Sequence, residues 1–132
     1  MTDRVSSVAI RRYRLDDAAT VVEAVRESIA DVHPWMPWCQ LDYAIDQSQA
    51  WLSVQVPAFD QGTAFEFAIV SDDGRYLGGC GLNQIDQPNR RANLGYWVRS
   101  SHTRQGVATR AVRLLRDWAF EHTNLIHRKA HV

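Results

Sequence analysis

The segment from Asn93 to Leu115 combines residue types that could bind a phosphorylated ligand. It changes from a strand-like pattern to a short polar loop, then to a glycine and a helical pattern. The first turn of a helix carries unpaired backbone N–H groups and the positive end of the aligned peptide dipoles. A glycine there lets a ligand approach the backbone closely. The turn formed by Gln105, Gly106, Val107, Ala108 and Thr109 can therefore hold a pyrophosphate, and Arg104 could add a charge-assisted contact.

Gly106 alone also fits an ordinary helix start, because many helices begin with a glycine for turn geometry only. The segment is not a Walker loop, since no Gly-Lys-Ser/Thr sequence follows the glycine. It also lacks the third glycine and the downstream acidic residue of a Rossmann fingerprint. A nucleotide-binding module is therefore disfavoured, and the strand before the glycine has to be considered together with it.

Hydrophobic periodicity predicts the elements that must position this segment. The order is β-α-α-β-β-β-α-β, which is typical of a mixed α/β fold with antiparallel strands and one late crossover. A strand, a helix and a strand in series predict that the last two strands are parallel. The predicted strands lie at 8–15, 64–70, 76–85, 92–99 and from 125 onward.

Aspartates and prolines predict where the first two helices begin and end. Asp16 or Asp17 can cap the first helix, and Asp42 the second, by accepting bonds from backbone N–H groups. The first helix should end before His33-Pro34, because the residue preceding a proline disfavours the helical conformation. Pro57 should end the second helix for the same reason. The third helix is predicted to start at the glycine of the candidate site.

The composition excludes several classes of protein. Lys plus Arg and Asp plus Glu number 15 each, so the chain has no surplus of cations to neutralise nucleic-acid phosphates. No apolar run approaches the roughly 20 residues that a membrane helix needs. Cys39 and Cys80 share no C-x-x-C spacing and are expected to be thiols of a reducing compartment. We expect one domain, no nucleic-acid or membrane partner, and a cytoplasmic location.

Four motifs in a fixed order cover nearly the whole chain. They are the tryptophan-rich loop 33–38 (HPWMPW), the glycine-bearing strand 77–86 (LGGCGLNQID), the strand 94–98 (LGYWV) and the loop 105–109. Together they resemble the GNAT superfamily of N-acetyltransferases, most closely its RimJ/RimL type. The resemblance implies a GNAT-like fold with a central, mostly antiparallel sheet flanked by helices. It also implies acetyl-CoA as co-substrate, no metal, and acetyl transfer to a primary amine of a protein N-terminus or a small molecule.

The resemblance assigns roles to individual residues. In this family the fourth strand splays from the fifth, and the pantetheine arm of acetyl-CoA lies in the gap like an extra strand. The backbone that would bond to this arm is that of Tyr96, Trp97 and Val98. Trp35 and Trp38 would line the acceptor pocket, although they fit equally well as wedges between the early helices and the sheet. His33, in the same loop, could touch the substrate or be a solvated histidine.

The residue at the usual general-base position departs from the family pattern. The related strand commonly reads Ala-Glu-Leu-Gly-Tyr-Trp, with the glutamate as base, whereas this chain has Asn93. An asparagine cannot take up a proton at neutral pH, so the catalytic residues stay unassigned. An amine that is already deprotonated, or a water chain to another carboxylate such as Glu66, could replace the base. Glu66 would otherwise be a solvent-facing strand residue or a salt-bridge partner.

The chain ends earlier than the family pattern. After the fifth strand the family continues with a helix, which bears the proton donor for the departing thiolate, and two more strands. We therefore expect a single GNAT-like domain over 1–132 that is incomplete at its C-terminus. Exposed strand edges would favour a homodimer or larger assembly. The alternative function is a non-catalytic acyl-CoA-binding or oligomerising remnant.

His127 and His131 are expected to be ordinary histidines, not metal ligands, since no further ligand cluster accompanies them.

Overall fold

The computed structural model describes residues 8–32, 44–99 and 106–129. Strands and helices follow one another along these residues in the predicted order. The strands are β1 (Val8–Arg12), β2 (Phe65–Ser71), β3 (Tyr76–Asp86), β4 (Arg91–Val98) and β5 (Ile126–Lys129). The helices are α1 (Ala18–Val32), α2 (Ile45–Gln61) and α3 (Val107–His122). In these ranges no helix combines the length and the apolar character needed to cross a bilayer.

The five strands form one sheet in the order β1-β2-β3-β4-β5. The first four strands are antiparallel to their neighbours. β4 and β5 are parallel, with Arg91 opposite Ile126 and Leu94 opposite Lys129. Because α3 connects these two strands, the predicted crossover and parallel pair are confirmed. The mixed α/β fold class is confirmed with them.

Helices pack on both faces of the sheet, so each face has its own apolar core. The face covered by α1 and α2 includes the buried residues Tyr13, Val25, Leu52, Ala68, Tyr76 and Trp97. The face covered by α3 includes Phe67, Ile69, Leu82, Leu94, Val112 and Leu115. Neighbouring residues of a strand point to opposite faces. Each strand of the candidate site is therefore held by apolar packing from both sides.

The start of α1 differs from the predicted aspartate cap. Leu15–Asp17 form a 3-10 turn that leads into α1. The Asp17 carboxylate accepts a bond from the Arg14 N–H at 2.7 Å and forms an ion pair with Arg11 at 2.8 Å. The Asp17 carboxylate is therefore bonded to the Arg14 N–H and the Arg11 guanidinium. It stabilises the 3-10 turn and does not cap α1. α1 is described up to Val32, and the predicted end before His33-Pro34 falls where the described residues stop.

The predicted bounds of α2 are wrong at its end. The helix begins after Ala44, which is its N-cap, and Asp42 lies outside the described residues. Pro57 lies inside α2, which ends at Gln61 and is capped by Gly62 with a left-handed φ of 74°. The Gly62 N–H bonds to carbonyls of the last turn, and Phe59 packs on the aromatic rings of β2. Packing and a good C-terminal cap therefore outweigh the backbone bond that the proline removes.

Candidate active site

The predicted pantetheine strand is the second half of β4. One edge of Tyr96, Trp97 and Val98 pairs with residues 78–80 of β3. The described pairing of β4 with β5 covers residues 91–94. Trp97 is buried, with its ring centroid 6.0 Å from that of Tyr76, whereas Tyr96 and Val98 are half-buried on the α3 side. Side chains on both faces thus anchor this stretch of backbone.

Gly106 is the N-cap of α3 and has a left-handed backbone, with φ 77° and ψ 8°. No described side chain forms a capping hydrogen bond with the helix, and its first turn contains no acidic residue. Among the described atoms, a Cβ added at Gly106 would meet only Arg110 Nε, at 4.0 Å. Val107 is buried in the core under α3, Ala108 is half-buried and Thr109 is exposed. The first turn is therefore anchored on one side, while its N–H groups and positive dipole end can receive an anion.

Glu66, Asn83 and Asn93 form a hydrogen-bonded chain across β2, β3 and β4. Asn93 Nδ2 donates to Asn83 Oδ1 at 3.0 Å, and Asn83 Nδ2 donates to Glu66 Oε2 at 3.1 Å. An ionised carboxylate only accepts, so Asn83 must turn its nitrogen toward Glu66 and its oxygen toward Asn93. The Oδ1 of Asn93 is then the free end of the chain within the described residues. Position 93 is thereby connected to a carboxylate two strands away.

Two glycines make room for the Glu66 carboxylate. Glu66 lies opposite Gly81, and Gly81 lies opposite Gly95. A side chain at Gly81 would collide with Glu66 Oε1, so the carboxylate extends over that glycine. A Cβ at Gly95 would meet no described atom within 4 Å. The open space above Gly95, which we call the Gly95 slot, is therefore about one strand spacing, ~4.8 Å, from Gly81.

The surroundings of Glu66 favour its protonated form. Burial raises the pKa of Glu66 above its ordinary value, and the bond from Asn83 offsets part of this rise. Glu66 is half-buried and forms no ion pair in the part of the chain that the structure describes. It is thus not a fully solvent-facing residue, and among the described residues it is not a salt-bridge partner. A partly desolvated carboxylate of raised pKa takes up a proton more readily than an exposed one.

Five of the predicted site residues are not described by the structure. His33, Trp35, Trp38, Arg104 and Gln105 lie outside the described residues. Within the described ranges, no group of three or more His, Cys, Asp or Glu side chains could hold a metal ion. Cys80 is a buried free thiol whose pKa is raised by burial and by the charge of Glu66. A thiol in that state is a poor nucleophile.

Sequence reasoning did not predict the roles of Asn83, Gly81 and Gly95. The signal that could have found them is the two-residue period of strands. Gly81 and Asn83 share one face of β3, while Asn93 and Gly95 share the same face of β4. Because Glu66 lies on this face of β2, the register of three strands was needed to bring the carboxylate and the two amides together.

Comparisons with known proteins identify the family of this chain. The family described as "Acetyltransferase (GNAT) domain" matches residues 7–132. The uncharacterized N-acetyltransferase p20 of Bacillus licheniformis is 41% identical over 66 residues, which are 49% of this chain and 37% of that protein. The matched stretch thus spans little more than a third of this curated relative.

Two solved structures share the fold at low sequence identity. RimL, a ribosomal L7/L12 alpha-N-protein acetyltransferase in complex with coenzyme A, has a TM-score of 0.83 and 17% identity. The likeness covers 91% of this chain and 67% of that one. The microcin C7 self-immunity acetyltransferase MccE, in complex with acetyl-CoA and AMP, has a TM-score of 0.81 and 18% identity, over 94% and 67% of the two chains. Because the family match runs through almost all of the sequence, this chain belongs to the GNAT acetyltransferases.

Proposed function

We propose that the chain transfers an acetyl group from acetyl-CoA to a primary amine, either at a protein N-terminus or on a small molecule. The observation that carries the proposal is the bare first turn of α3, where Gly106 stands at the N-cap without a capping side chain. This turn has N–H donors, no acidic residue and no described atom close to Gly106 except Arg110 Nε, so its features fit a pyrophosphate. Solved structures of the same fold contain coenzyme A or acetyl-CoA, which supports the proposal.

The proposed co-substrate extends from α3 along β4. The backbone of residues 106–109 binds the pyrophosphate, with Arg104 and Gln105 adding contacts. The pantetheine arm lies along Tyr96, Trp97 and Val98 as an additional strand. A direction from α3 toward the start of β4 brings the thioester end of the arm to the Gly95 slot. In the same proposal His33, Trp35 and Trp38 contribute to the acceptor side.

The proposed reaction is a direct transfer. The nitrogen of the neutral amine attacks the thioester carbonyl carbon, a C–N bond forms, and the C–S bond breaks to release the thiolate. Holding the amine and the thioester side by side supplies much of the rate enhancement. Cys80 offers no acyl-enzyme route, because it is buried and its raised pKa keeps it a thiol.

A thiol-release assay tests this proposal. The protein is mixed with acetyl-CoA and a panel of amines, comprising peptides with free N-terminal serine or alanine and small alkylamines. We expect thiol release above the uncatalysed rate with at least one amine, and calorimetric binding of coenzyme A. If neither coenzyme A binding nor thiol release occurs at millimolar ligand, the proposal is wrong.

A non-catalytic acyl-CoA-binding or oligomerising remnant is the second candidate. The observation that favours it is Asn93, an amide at the position where a carboxylate is usual in the family. This candidate predicts coenzyme A binding with no turnover for any amine of the panel. Turnover above the uncatalysed rate would exclude it. A nucleotide-binding module would instead predict binding of ATP.

Three further features belong to the same proposal. We propose that residues 1–132 act as one domain, supported by the single sheet that all described strands share. The cytoplasm is the proposed location, supported by the free thiol of Cys80. The proposed assembly is a homodimer or larger, and exposed apolar side chains such as Phe120, 89% accessible, support it. A monodisperse monomer in light scattering would refute the proposed assembly.

A further inference from the structure

We infer that Glu66 accepts the proton of the incoming ammonium group, and that Asn83 and Asn93 position its carboxylate. The inference rests on the proposed acetyl transfer and identifies the part of the site that receives the amine. It starts from one geometric fact: the residue at the usual base position is connected by two hydrogen bonds to a carboxylate on β2. The inferred base therefore lies on β2 and not on β4, and the side-chain amides of Asn83 and Asn93 connect the two positions.

The placement of the carboxylate depends on a missing side chain. Glu66 extends over Gly81, where any Cβ would collide with its Oε1. Extension across β3 brings the carboxylate toward β4, whose residue opposite Gly81 is Gly95. No described atom lies within 4 Å of a Cβ built at Gly95, so an amine in the Gly95 slot would displace no described side chain. The carboxylate would then lie beside the amine.

The two asparagines orient both the carboxylate and the substrate. Asn83 donates to Glu66 Oε2, which leaves Oε1 directed toward Gly81 and the slot. The Oδ1 of Asn93 ends the hydrogen-bonded chain and can accept a further N–H. An ammonium in the slot would then meet two acceptors, one charged and one neutral. This pair suits a primary ammonium, which has three N–H donors, better than an alcohol or thiol acceptor.

The protons of the reaction balance with a single carboxylate. The ammonium R–NH3+ gives one proton to Glu66, and the neutral amine attacks the thioester. As the C–N bond forms and the C–S bond breaks, a second proton leaves nitrogen and ends on the departing thiolate. The amide keeps the third hydrogen, and Glu66 returns its proton to solvent. The net products are the N-acetyl amide, the free thiol and one proton.

Two described ionisable groups that interact electrostatically with Glu66 are neutral. Tyr13, at the end of β1, and Cys80, on β3, are uncharged, because burial raises the pKa of both. Tyr76, on the same face, shares a 2.6 Å hydrogen bond with Tyr13. Five other described carboxylates form ion pairs with arginines, in the pairs Asp17–Arg11, Asp16–Arg14, Glu23–Arg99, Glu27–Arg99 and Asp60–Arg12. We expect the loss of rate at low pH to report the protonation of Glu66.

Thiol release with acetyl-CoA and the most reactive peptide or alkylamine of the panel, measured across pH, tests the inference. We expect Glu66→Gln to lower kcat/KM by about 100-fold or more, the usual contribution of a general base. The loss of rate at low pH should move up to the pKa of the free amine, because without the carboxylate only the neutral amine reacts. Coenzyme A binding by calorimetry should be unchanged, which shows that the variant is folded. Glu121→Gln, an exposed carboxylate on α3, is the matched control and should behave as wild type.

Two further variants separate positioning from structure. Asn83→Ala removes a hydrogen bond that stabilises the ionised carboxylate of Glu66, so the loss of rate at low pH should begin at a higher pH. If Asn83 had a purely structural role, the pH at which the rate falls would not change. Adding Asn93→Glu to Glu66→Gln should restore part of the activity, because it returns a carboxylate to β4. Wild-type kcat/KM and an unchanged pH profile in Glu66→Gln would overturn the inference alone. An inactive wild-type protein would overturn the proposed function and this inference with it.

Discussion

The Arg99 guanidinium donates to Glu27 Oε1 at 2.8 Å and thereby joins the residue after β4 to α1. The same group donates to Glu23 at 3.0 Å and to the Tyr76 carbonyl at 2.9 Å. Burial lowers the pKa of Arg99, but the two carboxylates outweigh this effect and raise it, so the side chain stays charged. The end of the proposed pantetheine strand is therefore fixed to α1.

Replacing Arg99 should destabilise the fold far more than replacing its outer partner. Arg99 is 3% exposed, so Arg99→Ala removes several charge-assisted bonds and buried packing, and should lower the free energy of unfolding by about 2–3 kcal/mol. The Glu23 side chain is 71% exposed, and Glu23→Gln should change the free energy of unfolding by less than about 0.5 kcal/mol. Urea denaturation measures both, and equal losses would contradict this assignment.

Gly106→Glu should abolish coenzyme A binding, because the side chain brings bulk and negative charge to the first turn of α3. The backbone cost of a non-glycine residue at φ 77° is about 1–2 kcal/mol. Gly74→Glu is the matched control, since Gly74 has a φ of 85° and open space around its Cβ position. Calorimetry should find wild-type affinity in the control and at least a 100-fold loss in Gly106→Glu. Unchanged affinity in Gly106→Glu would show that the pyrophosphate site is elsewhere.

The sequence predicted the order of elements well because apolar period and turn residues are local signals. It predicted the position of α3 and its glycine for the same reason. It did not predict that Pro57 lies inside α2, because aromatic packing between distant elements stabilises that helix. It also did not predict the chain from Asn93 through Asn83 to Glu66, which depends on the register of three strands. The order of helices and strands can be predicted from the sequence of one chain. Side-chain contacts between strands can be identified only once the strand register is known.

The Gly95 slot can be filled without disturbing the fold. Gly95→Ala adds a Cβ that meets no described atom within 4 Å, so the free energy of unfolding should stay within about 0.5 kcal/mol of wild type. The added methyl group would occupy space proposed for the amine, and KM for the amine should rise about tenfold or more. Gly78→Ala is the contrasting variant, because its Cβ would collide with the Trp97 carbonyl and destabilise the sheet. An unchanged KM in Gly95→Ala would place the amine elsewhere.

Glu66 should make the fold less stable as pH rises. The ordinary carboxyl ionises near 4.5, and burial raises the pKa of Glu66 in the folded chain above that value. Between these two pKa values the unfolded chain binds fewer protons than the folded chain, so stability falls with rising pH. Glu66→Gln removes this effect. The variant should match wild type in acid and exceed its melting temperature increasingly toward neutral pH, whereas Glu121→Gln should show no such trend. A stability difference independent of pH would mean that Glu66 ionises as freely in the folded chain as in the unfolded one. Its carboxylate would then lack the raised pKa that favours proton transfer from the amine.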